Sequence, residues 1–95
     1  MVAPFGSYEV VLHKRTRKFL RRHPDLESDW EAQEGIREQL SQRPLVGPRI
    51  DHLKGPLHCS RRWRAGDYRL LYDVDEATKE VFVYTADNRG DVYGR

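Results

Sequence analysis

The stretch "RWRAGDYRLLYDV", residues 62–74, decides the fold. Its apolar and polar residues alternate on both sides of a central Gly-Asp dipeptide, which is the pattern of two antiparallel strands joined by a tight turn. Glycine in the first position suits a type II′ turn of two residues. Such a turn fixes the register, so the sequence predicts that Arg64 pairs with Arg69 and Trp63 with Leu70.

Alternation divides this hairpin into two faces. The face that we expect helices to cover carries Cys59, Trp63, Tyr68, Leu70, Tyr72 and Val74, and the open face carries Arg62, Arg64, Arg69 and Asp73. Like charges facing each other across a ladder destabilise a sheet by roughly 0.2–1 kcal/mol, so a solvated face has no need of this arrangement. Because guanidinium groups match phosphate geometry bidentately, the three arginines predict an anion-binding surface. Asp73 is the expected salt-bridge partner of Arg62 or Arg69.

The whole chain, residues 1–95, is predicted to form one small α+β domain. Strands are expected at about 8–12, 58–65, 68–74 and 80–86, and a first helix at about 14–22 that must end before Pro24. A second helix follows, with an apolar stripe made of Leu26, Trp30, Ala32, Ile36 and Leu40. The segment "QRPLVGPRIDHLKGP", residues 42–56, is predicted to be an irregular loop because of its prolines and glycines. The order β-α-α-β-β-β indicates a small antiparallel β-sheet with two N-terminal helices packed on one face.

The charges of the chain are balanced in number but unevenly placed. The formal net charge is +2, from 17 Lys and Arg residues against 15 Asp and Glu. Residues 14–22 hold six cations, whereas residues 25–38 are mostly acidic. This separation indicates contact with a polyanion on one side of the molecule only.

The composition also excludes several classes of protein. Cys59 is the single cysteine, so no intramolecular disulfide is possible, and scattered histidines do not make a zinc site. No apolar run approaches the roughly 20 residues of a membrane span, and the first ten residues lack the apolar core of a secretory signal. We therefore expect a cytoplasmic protein with no metal, cofactor or membrane contact.

Several short motifs together resemble the RelE/ParE superfamily of bacterial toxins. They are "HLKG" at 52–55, the hairpin at 62–74, "VFVY" at 81–84 and "NRGDVY" at 88–93. The resemblance implies the toxin of a type II toxin–antitoxin system, bound by a cognate antitoxin as a heterodimer or heterotetramer. RelE-type members cleave messenger RNA in the A site of the 70S ribosome, whereas ParE-type members poison DNA gyrase. The fold alone does not choose between the two activities.

The resemblance implies catalytic roles for four residues. RNA cleavage by the 2′-hydroxyl needs a general base, charge stabilisation at phosphorus and a general acid, but no metal. Arg62 stands where RelE-type nucleases often have lysine or arginine, and Arg69 matches their phosphate-binding arginine. Arg89 and Tyr93 match the basic residue and the tyrosine of the C-terminal segment, which stacks on or orients the scissile nucleotide. Lys54 is counted with these four as a nearby candidate for proton transfer, not from a matched family position.

RNA contacts are expected from Arg61, Arg64 and Asn88. Two positions depart from the pattern of the family. Ser60 lies near the place where RelE itself has another catalytic lysine, and Asn88 occupies a position where many relatives have histidine. The general acid and base therefore stay open, and the local candidates are Lys54, His52, His58 and Tyr93.

Three classes of function remain after this reading. The first is a metal-independent, ribosome-dependent endoribonuclease that inhibits translation, with messenger RNA and the ribosome as partners. The second is a ParE-type gyrase inhibitor, and the third is a catalytically degenerate module that only binds its antitoxin. The clustered arginines and the C-terminal arginine and tyrosine favour the first class.

Overall fold

The computed structural model describes residues 8–52 and 61–88, which form three helices and five strands. The elements are β1 (Glu9–Leu12), α1 (Lys14–Arg22), α2 (Pro24–Glu31), α3 (Ile36–Gln42), β2 (Ile50–His52), β3 (Arg61–Ala65), β4 (Tyr68–Asp75) and β5 (Glu80–Asn88). The predicted α+β class is confirmed. None of the helices in these two ranges is long and apolar enough to cross a membrane.

The five strands form one sheet in the order β1-β5-β4-β3-β2. The pairs β5–β4 and β4–β3 are antiparallel, as expected, and β3 also pairs antiparallel with β2. In contrast, β1 runs parallel to β5, with Val10 opposite Val81. The sheet is therefore mixed rather than wholly antiparallel. The helical segment between the first two strands carries the chain across one face of the sheet, which brings the first strand beside the last described one.

The central hairpin has the predicted register. Arg64 lies opposite Arg69 and Trp63 opposite Leu70. Gly66 occupies the first turn position with a φ of 63°, a left-handed conformation that glycine adopts without steric cost. Because the turn has two residues, the alternation of side chains continues unbroken from β3 into β4.

The helices follow the predicted pattern with one correction. The first helix spans the predicted residues, and its buried Thr16 donates a hydrogen bond of 3.2 Å to the carbonyl of Val83 on β5. The predicted second helix is instead two helices, α2 and α3, separated by a turn at residues 32–35. The break excludes Ala32 from the apolar stripe, and this residue is exposed.

Gly35 explains where the second helix breaks. A Cβ atom at this position would lie 2.2 Å from the carbonyl oxygen of Asp29 and 2.8 Å from that of Ala32. Only glycine permits this close approach, and the chain turns there before α3 begins. The other four residues of the predicted stripe are buried at 5% exposure or less: Leu26, Trp30, Ile36 and Leu40.

The core lies between the helices and the inner face of the sheet. Its fully buried centre contains Leu40, Leu70, Tyr72, Val81 and Val83. The hydroxyl group of Tyr72 donates a hydrogen bond of 2.7 Å to the carbonyl of Pro44. Burial raises the pKa of this phenol well above its ordinary value, so Tyr72 is a neutral donor.

The segment predicted to be an irregular loop contains an edge strand. Strand β2 pairs antiparallel with β3, so that Ile50 lies opposite Trp63 and Asp51 opposite Arg62. The three residues of β2 show no recognisable strand pattern in the sequence, because prolines and glycines surround them. This short strand brings an acidic side chain to the arginine-bearing part of the sheet.

Candidate functional site

Three arginines meet on the open face of the sheet, across β3 and β4. Arg62 and Arg64 are two positions apart on β3, and Arg69 lies directly opposite Arg64 on β4, so alternation gives all three the same face. We call these residues the arginine cluster. The side chain of Arg64 is 50% exposed and that of Arg62 is 29% exposed, so each presents part of its guanidinium group to solvent.

Asp51 on β2 holds two members of the cluster. Its Oδ2 atom accepts hydrogen bonds from Arg62, at 2.9 Å from Nη2 and 3.3 Å from Nε, and lies 2.9 Å from Nε of Arg64. The hydrogen bond from Arg62 is the largest cause that lowers the pKa of Asp51, and the charge of Arg64 acts in the same direction against desolvation. Asp51 is therefore a carboxylate in the folded protein.

The contacts of Asp51 correct the expected pairing of Arg62. Of the two partners expected for Asp73, Arg62 is excluded because it pairs with Asp51, and the pairing of Asp73 with Arg69 stays a prediction. Asp73 accepts a hydrogen bond of 3.0 Å from the backbone amide of Val74. Asp51 escaped prediction because its strand was not recognised, although an aspartate immediately before "HLKG" is visible in the printed sequence.

Arg64 is fixed from two directions. Its Nε lies against Asp51, and its Nη2 donates a hydrogen bond of 2.9 Å to the carbonyl of Pro48. Within residues 8–52 and 61–88, the Nη1 groups of Arg62 and Arg64 have no hydrogen-bond partner. These two groups are therefore the donors that an added anion would meet on preorganised side chains.

The open face as a whole is not strongly basic. Directly opposed residues of an antiparallel pair share a face, so Asp87, opposite the half-buried Arg69, lies on the arginine side. Asp51, Asp73 and Asp87 match the three arginines in number. Asp51 and Asp87 were not predicted on this face, because they come from strands β2 and β5 on either side of the hairpin.

Arg61 and Asn88 lie away from the cluster. Arg61 shares the inner parity with Tyr72, and its Nε donates a hydrogen bond of 3.0 Å to the carbonyl of Leu45. Asn88 lies opposite Tyr68 at the helix-covered end of the sheet. There it lines a cavity of about 240 Å³ together with Asp25, Asp29 and Asp67. Neither Arg61 nor Asn88 therefore lies beside the arginine cluster, although we expected both to contact RNA together with Arg64.

Several predicted site residues lie outside the described residues: Lys54, His58, Cys59, Ser60, Arg89 and Tyr93. His52 is described, and it is exposed at the end of β2. Among the described residues, no group of three or more His, Cys, Asp or Glu side chains could hold a metal ion.

Comparison with solved structures gives three close likenesses. The archaeal RelE–RelB complex from Pyrococcus horikoshii contains a chain with 27% identity and a TM-score of 0.64, and the match covers 88% of this chain and 97% of that chain. The toxin–antitoxin complex RelBE2 from Mycobacterium tuberculosis matches with 26% identity and a TM-score of 0.64, over 86% of this chain and 98% of that chain. The intact RelBE complex from Escherichia coli matches with 25% identity and a TM-score of 0.55, over 83% and 97%.

These likenesses cover nearly the whole length of the matched chains. No protein-family model matches the sequence, and no curated protein matches it. The structural matches support a RelE-like toxin. The resemblance drawn from the sequence motifs is confirmed.

Proposed function

We propose that this chain is the toxin of a type II toxin–antitoxin pair and cleaves messenger RNA in the ribosomal A site. The observation that carries the proposal is the arginine cluster on the open face of a RelE-like sheet, where hydrogen bonds hold two guanidinium groups in place. A phosphodiester bound there would meet donors already oriented, which is the main requirement for stabilising charge that develops at phosphorus.

The proposed roles of the residues combine this geometry with the family resemblance. Arg62 and Arg69 bind the scissile phosphate, and Arg64 contacts a neighbouring phosphate. Asp51 orients Arg62 and Arg64, and its lowered pKa makes it a poor general base. The acid and base are sought among His52, Lys54, His58 and Tyr93, and Arg89 and Tyr93 position the nucleotide, as the sequence resemblance implies. This chemistry needs no metal or cofactor.

The proposed partner is a cognate antitoxin. The three similar structures are all complexes of a toxin with its antitoxin. An active nuclease requires such an inhibitor in the cytoplasm, where its ribosomal target lies. We expect co-expression with the polypeptide of the adjacent open reading frame to restore growth and to yield a heterodimer or heterotetramer by gel filtration. Recovery of the neutralised chain without a bound partner would contradict this.

A second candidate function has its own support in the charge balance of the open face. Three aspartates accompany the three arginines and offset their charge, although the nuclease proposal has a use only for Asp51, which orients Arg62 and Arg64. This balance of positive and negative charges on the open face favours a toxin that does not cut RNA. Such a toxin would be either a ParE-type gyrase inhibitor or a module that only binds its antitoxin.

Cleavage of a programmed message on 70S ribosomes separates these candidates. We expect the wild type to cut within the A-site codon, and Arg69→Ala to lose activity by a factor on the order of 10²–10³, because one donor to the developing charge is removed. Arg37→Ala changes an exposed arginine on α3, outside the cluster, and should cut like the wild type.

Two controls complete this experiment. Leu70→Asp buries a charge at a fully buried position and should unfold the chain, so its inactivity marks loss of fold rather than loss of a site. DNA supercoiling by gyrase is measured in parallel. No cleavage at any concentration of the wild type, together with inhibition of supercoiling, would replace the nuclease proposal with the gyrase one.

A further inference from the structure

A groove lies on the helix-covered side of the sheet, where α3 and residues 43–50 meet β3. One part of it is a cavity of about 190 Å³, lined among others by Gln39, Arg43, Val46, Arg49 and Trp63. A neighbouring cavity of about 500 Å³ shares Gln39, Arg49 and Trp63 with the first. We call the two together the Trp63 groove. It lies on the opposite face from the arginine cluster, because Trp63 and the cluster have opposite parity on β3.

The tryptophan in this groove has a hydrogen-bond donor that no described residue accepts from. Trp63 is only 3% exposed, and among the described residues its Nε1 has no acceptor. Buried indole N–H groups ordinarily have a partner, since leaving one unsatisfied costs the free energy of its desolvation. An oxygen atom supplied by a bound molecule would satisfy this donor.

The charged side chains that line the groove indicate which class of molecule can bind there. Arg43 and Arg49 are exposed at the smaller cavity, and neither forms an ion pair with a described residue. Asp29 and Glu34 line the larger cavity. A nucleic acid strand carries negative charge along its whole length and would be repelled at the second end, whereas a polypeptide can match both ends.

An apolar contact is also available. Val46 is the large apolar side chain that stays exposed among the described residues, at 69%, and it lines the smaller cavity. A protein ligand can cover such a residue with an apolar side chain, which favours a polypeptide over RNA at this groove.

We propose that the Trp63 groove binds an extended segment of the antitoxin. An acidic residue of the segment pairs with Arg43 and Arg49, an apolar residue covers Val46, and a carbonyl or carboxylate oxygen accepts from Nε1 of Trp63. The inference rests on the proposed toxin–antitoxin function and names the surface through which the partner is recognised. It leaves the arginine cluster on the other face to RNA.

Nuclear magnetic resonance of the indole groups tests this proposal directly. The chain has two tryptophans, Trp30 on α2 and Trp63, so a ¹⁵N-labelled sample gives two indole signals, and Trp63→Phe identifies its own. The full chain is refolded after purification from a complex co-expressed with the polypeptide of the adjacent open reading frame. Adding that polypeptide back should move the Trp63 signal downfield and slow its hydrogen exchange, while the Trp30 signal changes little.

Charge reversal gives an independent measurement. Arg43→Glu with Arg49→Glu should weaken binding of the polypeptide on the order of tenfold or more at 0.1 M salt. Arg37→Glu reverses an exposed arginine of α3 outside the groove and should bind within a factor of about two of the wild type.

The possible outcomes separate the two proposals. If the complex forms but the Trp63 signal stays in place and the double variant binds like the wild type, the groove is not the docking surface and the toxin–antitoxin pairing stands. If the wild type forms no complex, both proposals fail. If a single-stranded RNA of about 15 nucleotides moves the Trp63 signal and the polypeptide does not, the occupant is a nucleic acid and the inference is overturned.

Discussion

Replacing Asp51 by asparagine should strengthen RNA binding while it weakens the fold slightly. The carboxylate lies 2.9 Å from both Arg62 and Arg64 and cancels one positive charge of the arginine cluster. A unit charge about 6 Å from a bound phosphate is worth about 0.7 kcal/mol in water, which corresponds to roughly a threefold change in Kd. Asp51→Asn should therefore bind a single-stranded RNA about threefold more tightly at low salt, and the gain should shrink as salt screens the charge.

The effect of the same substitution on stability has a defined pH dependence. Ion pairs as exposed as this one contribute about 0.2–1 kcal/mol, so Tm at pH 7 should fall by no more than about 8 °C. The pKa of Asp51 lies below its ordinary value of 3.8 in the folded state. Its contribution is therefore complete above about pH 4 to 5 and is lost as the pH falls through the lowered pKa. The melting curves of the wild type and the variant should converge at low pH.

Fluorescence anisotropy with labelled RNA and thermal unfolding followed by circular dichroism measure the two effects. Glu9→Gln is the matched control, since it removes the same charge from the open face at the opposite edge strand. Four strand spacings, about 19 Å, separate the two edges and exceed the Debye length of about 10 Å at 0.1 M salt. Weaker RNA binding by a folded Asp51→Asn variant would refute the charge argument and show that the loss of arginine orientation outweighs the gain in positive charge. Unchanged binding would place the RNA elsewhere.

Three further predictions address the fold and the C-terminal segment. Gly35→Ala should lower the free energy of unfolding by about 1–3 kcal/mol in urea titrations, because its Cβ would collide with two backbone carbonyls, whereas Gly47→Ala meets only a side-chain carbon at 3.4 Å and should cost little. Tyr72→Phe should lower the free energy of unfolding by about 1–3 kcal/mol, because it leaves the buried Pro44 carbonyl without its hydrogen-bond donor. The pKa of Tyr72 is raised in the folded state, so the wild type keeps its full stability below about pH 10 and loses stability above it. The difference in Tm between the wild type and the variant should therefore narrow at high pH. Tyr93→Ala should slow single-turnover cleavage on ribosomes by roughly 10–100-fold through lost base stacking, and full activity would contradict the role assigned to this tyrosine.

The central hairpin was predictable because every local signal in it agrees. The hairpin has a Gly-Asp turn of two residues, and its polar and apolar residues alternate strictly, with the large apolar side chains on one face. Only one strand register then buries both Trp63 and Leu70. The placement of the arginine cluster on one face follows from that register alone. Leu26, Trp30, Ile36 and Leu40 were also predictable as core, since all four stay buried in the core cluster despite the break between α2 and α3.

The errors arose where long-range contacts decide the structure. Helical periodicity runs through Gly35 without interruption, and only the approach of two carbonyl oxygens from α2 shows why the helix ends there. Strand β2 is held by its pairing with β3 rather than by any pattern of its own three residues. Asp51 was missed for this reason, and with it the ion pairs that fix Arg62 and Arg64.

The parallel pairing of β1 with β5 sets an order of events while the chain is being synthesised. Glu9 finds its partner in Glu80, roughly 70 positions further along, and β5 also pairs with β4. Until residues 80–88 have emerged, β1 has no neighbour and the inner side chains of β4 have no second strand beside them. Closing so long a loop is slow, so much of the apolar face stays uncovered for most of translation. The five-stranded sheet is therefore complete only after β5 has emerged from the ribosome, and the arginine-bearing face, which includes Asp87 of β5, reaches its finished form only then.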